Sequence, residues 1–299
     1  MKLTECNVRA TVAREGEFHR LGSTDADCSG LLAYADSLKY LQHAFANPQI
    51  TCLITTAELA GRVPDRMGLM VAVNPRDTFY AVHLQFIHES RYVLPFEPGI
   101  GNGCRIHPSA QIADGCRIED NVTIGEQVIV RSPVWVGSNV SIEPGAKLGM
   151  EGILYCRTDA GPRLVPHGGY VRIHNNAMLM TNTVVVRSVH DTDVTEVGDS
   201  ALIGLASIVG HEAKIGTRSV VSNQCVVARK SIIGTDVFLG TQCMIKENVR
   251  VGDGARVMAG SVVICDVAAG ATVSGNFATE HRPRMLAFMR SHRQSLPNE

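Results

Sequence analysis

Residues 100–130 read IGNGCRIHPSAQIADGCRIEDNVTIGEQVIV, and every sixth position, Ile100, Ile106, Ile112, Ile118, Ile124 and Val130, is aliphatic. The row continues through Val136, Ile142 and Leu148. It resumes one residue out of phase at Ile173 and runs through Leu179, Val185, Val197, Ile203, Val209, Ile215, Val221, Val227, Ile233, Leu239, Ile245, Val251, Val257 and Val263, broken at Asp191. Neither an amphipathic helix nor an alternating strand keeps a period of six over such a distance, so the repeat predicts a parallel β-helix. Four residues after the aliphatic one the chain places small side chains, among them Cys104, Ala110, Cys116, Ala146, Ala201, Ser207, Ala213, Ser219, Cys225, Cys243, Ala255 and Ser261. One branched and one small inward position per hexad describe a narrow prism, with three hexads per coil and residues eighteen apart stacked at about 4.8 Å. Glycine directly after the aliphatic residue, as at Gly101, Gly125, Gly198, Gly204, Gly210 and Gly216, is expected to supply corner conformations that a β-carbon resists.

Composition narrows the function. The chain has 299 residues and a formal net charge of −1, so it lacks the basic field that nucleic-acid binding needs, and its length suits a long solenoid plus a smaller domain. Its nine cysteines form no CxxC pair, and four of them (Cys104, Cys116, Cys225, Cys243) occupy the small slot as reduced core thiols. The start, MKLTECNVRA, has no apolar signal core, and no run of eighteen apolar residues spans a bilayer, so a cytoplasmic location is expected.

Residues 1–98 show no six-residue period and read as an α/β domain, followed by a β-helix over 99–275 and a helical tail over 276–299. In the first domain Leu31–Ala46 has helical character, Gln49–Thr55 and Gly68–Val73 are β-prone, and Asn74-Pro75 opens a helix that buries Phe79, Val82, His83 and Phe86. The stretch GMEGILYCRTDAGPRLVPHGGYV after Leu148 breaks the period with clustered Gly and Pro. In a solenoid such an insertion becomes a loop on one face, where binding residues concentrate. Val189–Asp193 is a second irregular piece. His281–Gln294 reads as a short basic helix, expected as a cap on the last coil.

His211 lies two residues after Val209, in the phase held elsewhere by Asn102, Asp114, Asp120, Glu126, Asp199 and Asp253, which predicts a solvent-facing imidazole. Eighteen residues earlier, one coil below, stands Asp193, a carboxylate placed to orient the ring, with Asp191 as second choice. No metal site is expected: the His-x4-His spacing of His83 and His88 falls in the first domain's helix. Nothing resembles a GxSxG elbow, a P-loop or a GxGxxG turn after a strand.

Taken together, the chain resembles the UDP-3-O-acylglucosamine N-acyltransferases of lipid A synthesis, the LpxD family, over most of its length. The resemblance is carried by Ile208-Val209-Gly210-His211-Glu212-Ala213-Lys214-Ile215-Gly216, which looks like the family's Ile-Ala-His-Asn-Val-x-Ile-Gly. Gly149-Met150-Glu151-Gly152 and Val165-Pro166-His167-Gly168-Gly169 are similar to its Gly-Ser-Asp-Gly and Pro-x-x-Gly-Gly loops, and Tyr34-Ala35-Asp36-Ser37-Leu38-Lys39-Tyr40 to its uracil-sandwiching segment. The resemblance implies a left-handed β-helix, the accepted exception to right-handed crossovers, assembled as a homotrimer. It implies acyl transfer from a phosphopantetheine thioester, on acyl carrier protein or coenzyme A, to the amine of a nucleotide-activated sugar, with no permanently bound cofactor. His211 becomes the general base and Asp193 its orienter, with Tyr34, Ser37, Tyr40, Glu151, Gly152 and His167 binding the sugar nucleotide. Gly210, Arg229, Gly275, Arg282 and Arg284 are then expected to contact the acyl donor. Gly204-Leu205 stands where the family has Asp-Asn, and Asn248 or a neighbour where it has a second histidine, so sugar or acyl contacts have changed. Two rivals stay open: an acetyl-CoA-dependent N-acetyltransferase of a dTDP- or UDP-amino-deoxysugar, suggested by Ser274-Gly275-Asn276-Phe277-Ala278, and a non-catalytic scaffold or sugar-nucleotide sensor.

Overall fold

The computed structural model describes residues 1–158 and 161–275. The helix expected over His281–Gln294, with Arg282 and Arg284, lies outside the described residues.

From Gly99 onward the chain winds as a left-handed parallel β-helix of short strands. Thr123-Ile124 pairs with Ser141-Ile142, and Val209 with Val227, so coils stack at the eighteen-residue interval. Three hexads per coil generate three parallel sheets, of nine, eight and eight strands among the described residues. The aliphatic row and the small row together form one continuous core, from Cys116 and Ile118 through Val209 and Ala213 to Val257 and Val263.

The corners depart from expectation. Except at Gly149, where the insertion begins, the glycine after the aliphatic residue has an ordinary φ; the left-handed residue comes two positions later and is usually not glycine, as at Asn121, Asn139, Gln224 and Glu212. Glycine is needed for a different reason: coils approach too closely for a side chain. A β-carbon on Gly204 would stand 2.6 Å from the Ser222 carbonyl carbon of the coil above.

Both irregular segments interrupt the same corner. Leu148 stacks under Val185 and Val185 under Val209 on one sheet, while Val171 stacks under Thr195 and Val197 under Ile215 on the next. The insertion after Met150, the Arg187–Asp193 segment and the Gly210-His211-Glu212 turn therefore lie one above another in consecutive coils. The insertion carries a small antiparallel hairpin, Tyr155–Thr158 with Gly161–Leu164.

The N-terminal domain has a five-stranded sheet built from β1 (Thr11–Arg14), β2 (Arg20–Leu21), β3 (Leu31–Ala35), β4 (Ile50–Thr55) and β5 (Gly68–Val71), in the order β1-β5-β4-β3-β2. Only the β1-β5 pair is antiparallel. Three helices complete it: α1 (Leu38–Ala46), α2 (Ala57–Ala60) and α3 (Pro75–His88). α3 starts where Asn74 Oδ1 accepts the Asp77 N–H and Pro75 occupies the first turn, and it buries Phe79, Val82, His83 and Phe86 as the pattern predicts. The helix expected from Leu31 is corrected: residues 31–35 form β3, and the helix starts only at Leu38. β3 lies between β2 and β4 and is covered on both faces, so it is apolar throughout, a pattern that periodicity alone does not separate from a buried helix.

This domain docks on the interrupted corner. Arg20 pairs with Asp191 at 3.1 Å, Thr192 Oγ1 donates to Leu21 O at 3.0 Å, and Phe79 and Tyr80 pack their rings against His190. No helix among the described residues is long and apolar enough to cross a membrane.

Candidate active site

The docked domain and the two bulged segments roof the turn that carries His211, which is 6% exposed. Its sequence phase predicted a solvent-facing ring, and residues in the same phase on plain coils, such as Asp114 and Glu126, are exposed. Burial of His211 comes from these added layers and not from its place in the hexad.

The stacking also corrects the pairing with Asp193. Val185 lies under Val209, an interval of 24 instead of 18, because Arg187–Asp193 is six residues longer than a plain corner. The residue beneath His211 is therefore Arg187. Among the described residues, the carboxylate within 4 Å of the imidazole is Glu212, with Oε1 3.5 Å from Nδ1. Neither Asp193 nor Asp191 reaches it; Asp191 is taken by Arg20 and by the Val93 N–H at 3.2 Å.

Glu212 is built into its position. Its backbone adopts φ +62° and its N–H donates to Thr195 Oγ1 at 2.7 Å, while Oε1 accepts from the Val189 N–H at 3.3 Å. Lys230 occupies the same corner position one coil higher and brings Nζ to 3.3 Å from Oε2. Burial raises the Glu212 carboxyl, but contact with His211 and the charge of Lys230 outweigh it and hold the group well below the usual carboxylate range. An ionised carboxylate facing Nδ1 favours the proton on that nitrogen and leaves Nε2 free as a base.

Asp193 stands in the same charged group but behaves in the opposite way. Burial, with the Glu212 charge adding to it and Lys230 opposing, pushes its carboxyl up to about 7. The folded chain therefore holds this proton between the ordinary carboxylate pKa and 7, and the corresponding stability is lost as the pH rises through 7. Replacing Asp193 by Asn should raise the melting temperature, by less at pH 5 than at pH 8, because at pH 5 only part of this stability has been lost, read by calorimetry at both. The buried histidines His83 (lowered to about 4) and His190 work the other way: the unfolded chain binds their protons first, so stability falls as the pH drops below 6.5.

The insertion brings His167 alongside. Its ring lies edge-on to His211 with centroids 5.2 Å apart, and Nδ1–H donates to Arg187 O at 2.9 Å, so Nε2 carries the lone pair and has no hydrogen-bond partner among the described residues. Gly152 fits beside both rings: a β-carbon on it would stand 3.3 Å from His167 Cε1 and 3.4 Å from His211 Cδ2. Arg187 ties these pieces together, donating to Ser132 O and to Glu151 Oε1, each at 2.6 Å.

Arg229 is exposed one coil above His211. Tyr34 is at the C-terminal end of β3, packed on Phe79 at 5.2 Å and near Tyr80; Ser37 precedes α1 as its N-cap; Tyr40 is exposed on α1 against His43. The C-terminal ends of parallel strands are where open α/β sheets bind ligands, and Arg76 at the start of α3 stands there too, 5.8 Å from the Tyr80 ring. Gly210 is not a free donor, because its N–H is spent on Val227 O at 2.8 Å. Gly275 donates to Ser261 Oγ at 3.1 Å on a different corner, away from His211. Sequence reading missed Glu212, Lys230, Arg187 and His190. A usable signal existed for the first two, since they share one corner column eighteen residues apart.

Residues 97–132 and 115–150 match the bacterial transferase hexapeptide family (six repeats). The match ends before the insertion and does not reach His211. No curated protein matches the chain. Among solved structures it is similar to LpxA, a UDP-N-acetylglucosamine acyltransferase from Bacteroides fragilis, at 20% identity over 69% of this chain and 77% of that one, with a TM-score of 0.54. It is also similar to the UDP-N-acetylglucosamine acyltransferases of Arabidopsis (24% identity, 66% and 69% covered, TM-score 0.44) and Francisella novicida (24%, 57% and 65%, 0.42). The Bacteroides likeness shows the β-helical fold.

Proposed function

We propose that this chain is an acyltransferase that moves an acyl group from a phosphopantetheine thioester, on acyl carrier protein or coenzyme A, to the amine of a nucleotide-activated amino sugar. The observation that carries the reading is the buried pair of imidazoles, His211 backed by ionised Glu212 and His167 with a free Nε2, where a β-helix corner meets an α/β domain. His211 Nε2 takes the proton from the amine as its nitrogen attacks the thioester carbonyl. The Gly152 N–H, which has no acceptor among the described residues, offers a hydrogen bond to the oxyanion. The carbon–sulfur bond then breaks, the His211 proton passes to the thiolate, and an amide and a free thiol leave. Tyr34, Ser37 and Tyr40 take the base at the strand ends, with Arg76 at the start of α3 as a cation for the phosphates. The match to hexapeptide transferases and the LpxD-like motifs around His211 and His167 support this reading.

The same reading includes self-association, which rests on exposed apolar side chains. Met178, Leu205, Ile208, Met244 and Val262 project from two adjacent sheets and the corner between them, and such a surface on a β-helix fits a homotrimer around that corner. His211 lies at the next corner, beside that interface.

The test is a thiol-release assay that crosses acetyl-CoA, longer acyl-CoA and hydroxyacyl carrier protein with UDP- and dTDP-sugars bearing either an amine or only hydroxyls, on material sized by light scattering. Release with a UDP-amino sugar and hydroxyacyl carrier protein is expected. Release only with hydroxyl acceptors would make it an O-acyltransferase, and release with acetyl-CoA and a deoxyamino sugar an acetyltransferase. No release from a folded trimer with any pair would leave a scaffold or sensor.

A further inference from the structure

The loop that carries His167 is held from two sides. On the β-helix side, His167 Nδ1–H donates to Arg187 O, Gly168 N–H to Val189 O at 2.8 Å, and Gly169 N–H to Ser188 O at 3.0 Å. On the other side it is held by the N-terminal domain and the segment that follows it. His83 Nε2 lies 2.6 Å from the carbonyl of Pro166, the residue before His167. The Tyr92 ring lies so close to Gly168 that a β-carbon there would stand 2.5 Å from it.

These holding residues form a chain with one direction. A carbonyl only accepts, so the Pro166 contact puts the His83 proton on Nε2 and makes Nδ1 an acceptor. Tyr92 O–H donates to that Nδ1 at 2.5 Å, and the Tyr92 oxygen in turn accepts from His190 Nδ1–H at 3.1 Å. His83 is fully buried, and burial lowers its pKa to about 4, so it is neutral and the direction persists near neutral pH. No step of the acyl transfer uses His83, Tyr92 or His190.

We propose that His83 and Tyr92 are positioning residues through which the N-terminal domain holds His167, with its unpartnered Nε2, beside His211. The docked domain thereby completes the site as well as offering a surface for the nucleotide. The catalytic consequence rests on the acyltransferase reading; the placement of His167 does not.

The experiment uses the full chain with histidine labelled at Cε1, and follows the His167 resonance with pH alongside turnover. Burial depresses the His167 pKa, and the charged or titratable groups facing it are His211, Glu151, Arg187 and the buried, neutral His83 and His190. In His83→Leu the loop loosens, the His167 titration moves up toward 6.5, and turnover falls about 10²-fold. His83→Gln keeps an N–H for Pro166 O and should retain both properties. In a His167→Ala background, His83→Leu should cost no further turnover, since its effect acts through His167. If His83→Leu does not fold, Tyr92→Phe, which keeps the ring on Gly168 and loses the hydroxyl, gives the same comparison. An unmoved His167 titration in a folded variant, or fully additive losses in the double variant, overturns the proposal. Absence of turnover in the wild type with every donor and acceptor would sink the acyltransferase reading alone, because the titration still decides whether His83 positions His167.

Discussion

Replacing His211 by alanine is expected to lower turnover by about 10²–10⁴-fold, the usual contribution of a positioned general base, with little change in KM. The fold should survive the change. His211 occupies a corner position where other coils carry Asn, Asp, Glu or Thr, and it takes no part in the inward aliphatic and small rows. Its neighbour Glu212 keeps Lys230 and the Val189 N–H, so no unpaired buried carboxylate is created. Steady-state kinetics on material with wild-type circular dichroism and melting temperature make the check. Normal turnover in such a variant would remove His211 as the base and leave His167, whose Nε2 lone pair is already free, as the group to replace next.

Replacing Gly216 by alanine is expected to cost about 3 kcal/mol or more of stability, at the upper end of overpacking penalties. The added β-carbon would lie 2.2 Å from Gly234 O and 2.4 Å from its carbonyl carbon. Both atoms belong to the backbone of the next coil, which is tied down on its own side because Gly216 N–H bonds to Ile233 O at 2.8 Å. Relief requires the coils to part, and parting breaks the hydrogen bonds that stack them. Gly61, at the end of α2 with φ −65° and open space around its Cα, provides the control, and alanine there should be nearly neutral. Thermal and urea unfolding of the two variants distinguish them; equal stabilities would mean that the coils yield more easily than their backbone spacing implies.

The outcomes for His211 and its partner show where sequence reading stops. His211 itself was legible, because it stands in a repeat whose phase can be counted. Its carboxylate partner was not. The Arg187–Asp193 segment adds six residues, the length of one hexad, so the aliphatic row stays in phase on both sides of Asp191 while the stacking interval grows from 18 to 24. Counting eighteen back from His211 lands on Asp193, inside the added hexad, and the carboxylate that faces the ring is the adjacent Glu212. β3 failed for a related reason: a strand covered on both faces has no polar side, and Leu31-Leu32-Ala33-Tyr34-Ala35 offers no alternation to read.

The amino-acid sequence by itself determined the β-helix, its three-sided coil, its core rows and the position of the insertion, because each follows from short-range periodicity repeated many times. Only the tertiary structure decided that two bulged segments and the His211 turn share one corner, that the N-terminal domain covers that corner, and that His211 is consequently buried beside Glu212 and His167. Those relations depend on contacts between residues far apart along the chain, such as His83 with Pro166 and Arg20 with Asp191. A periodic pattern carries no record of which surfaces meet once the coils are stacked.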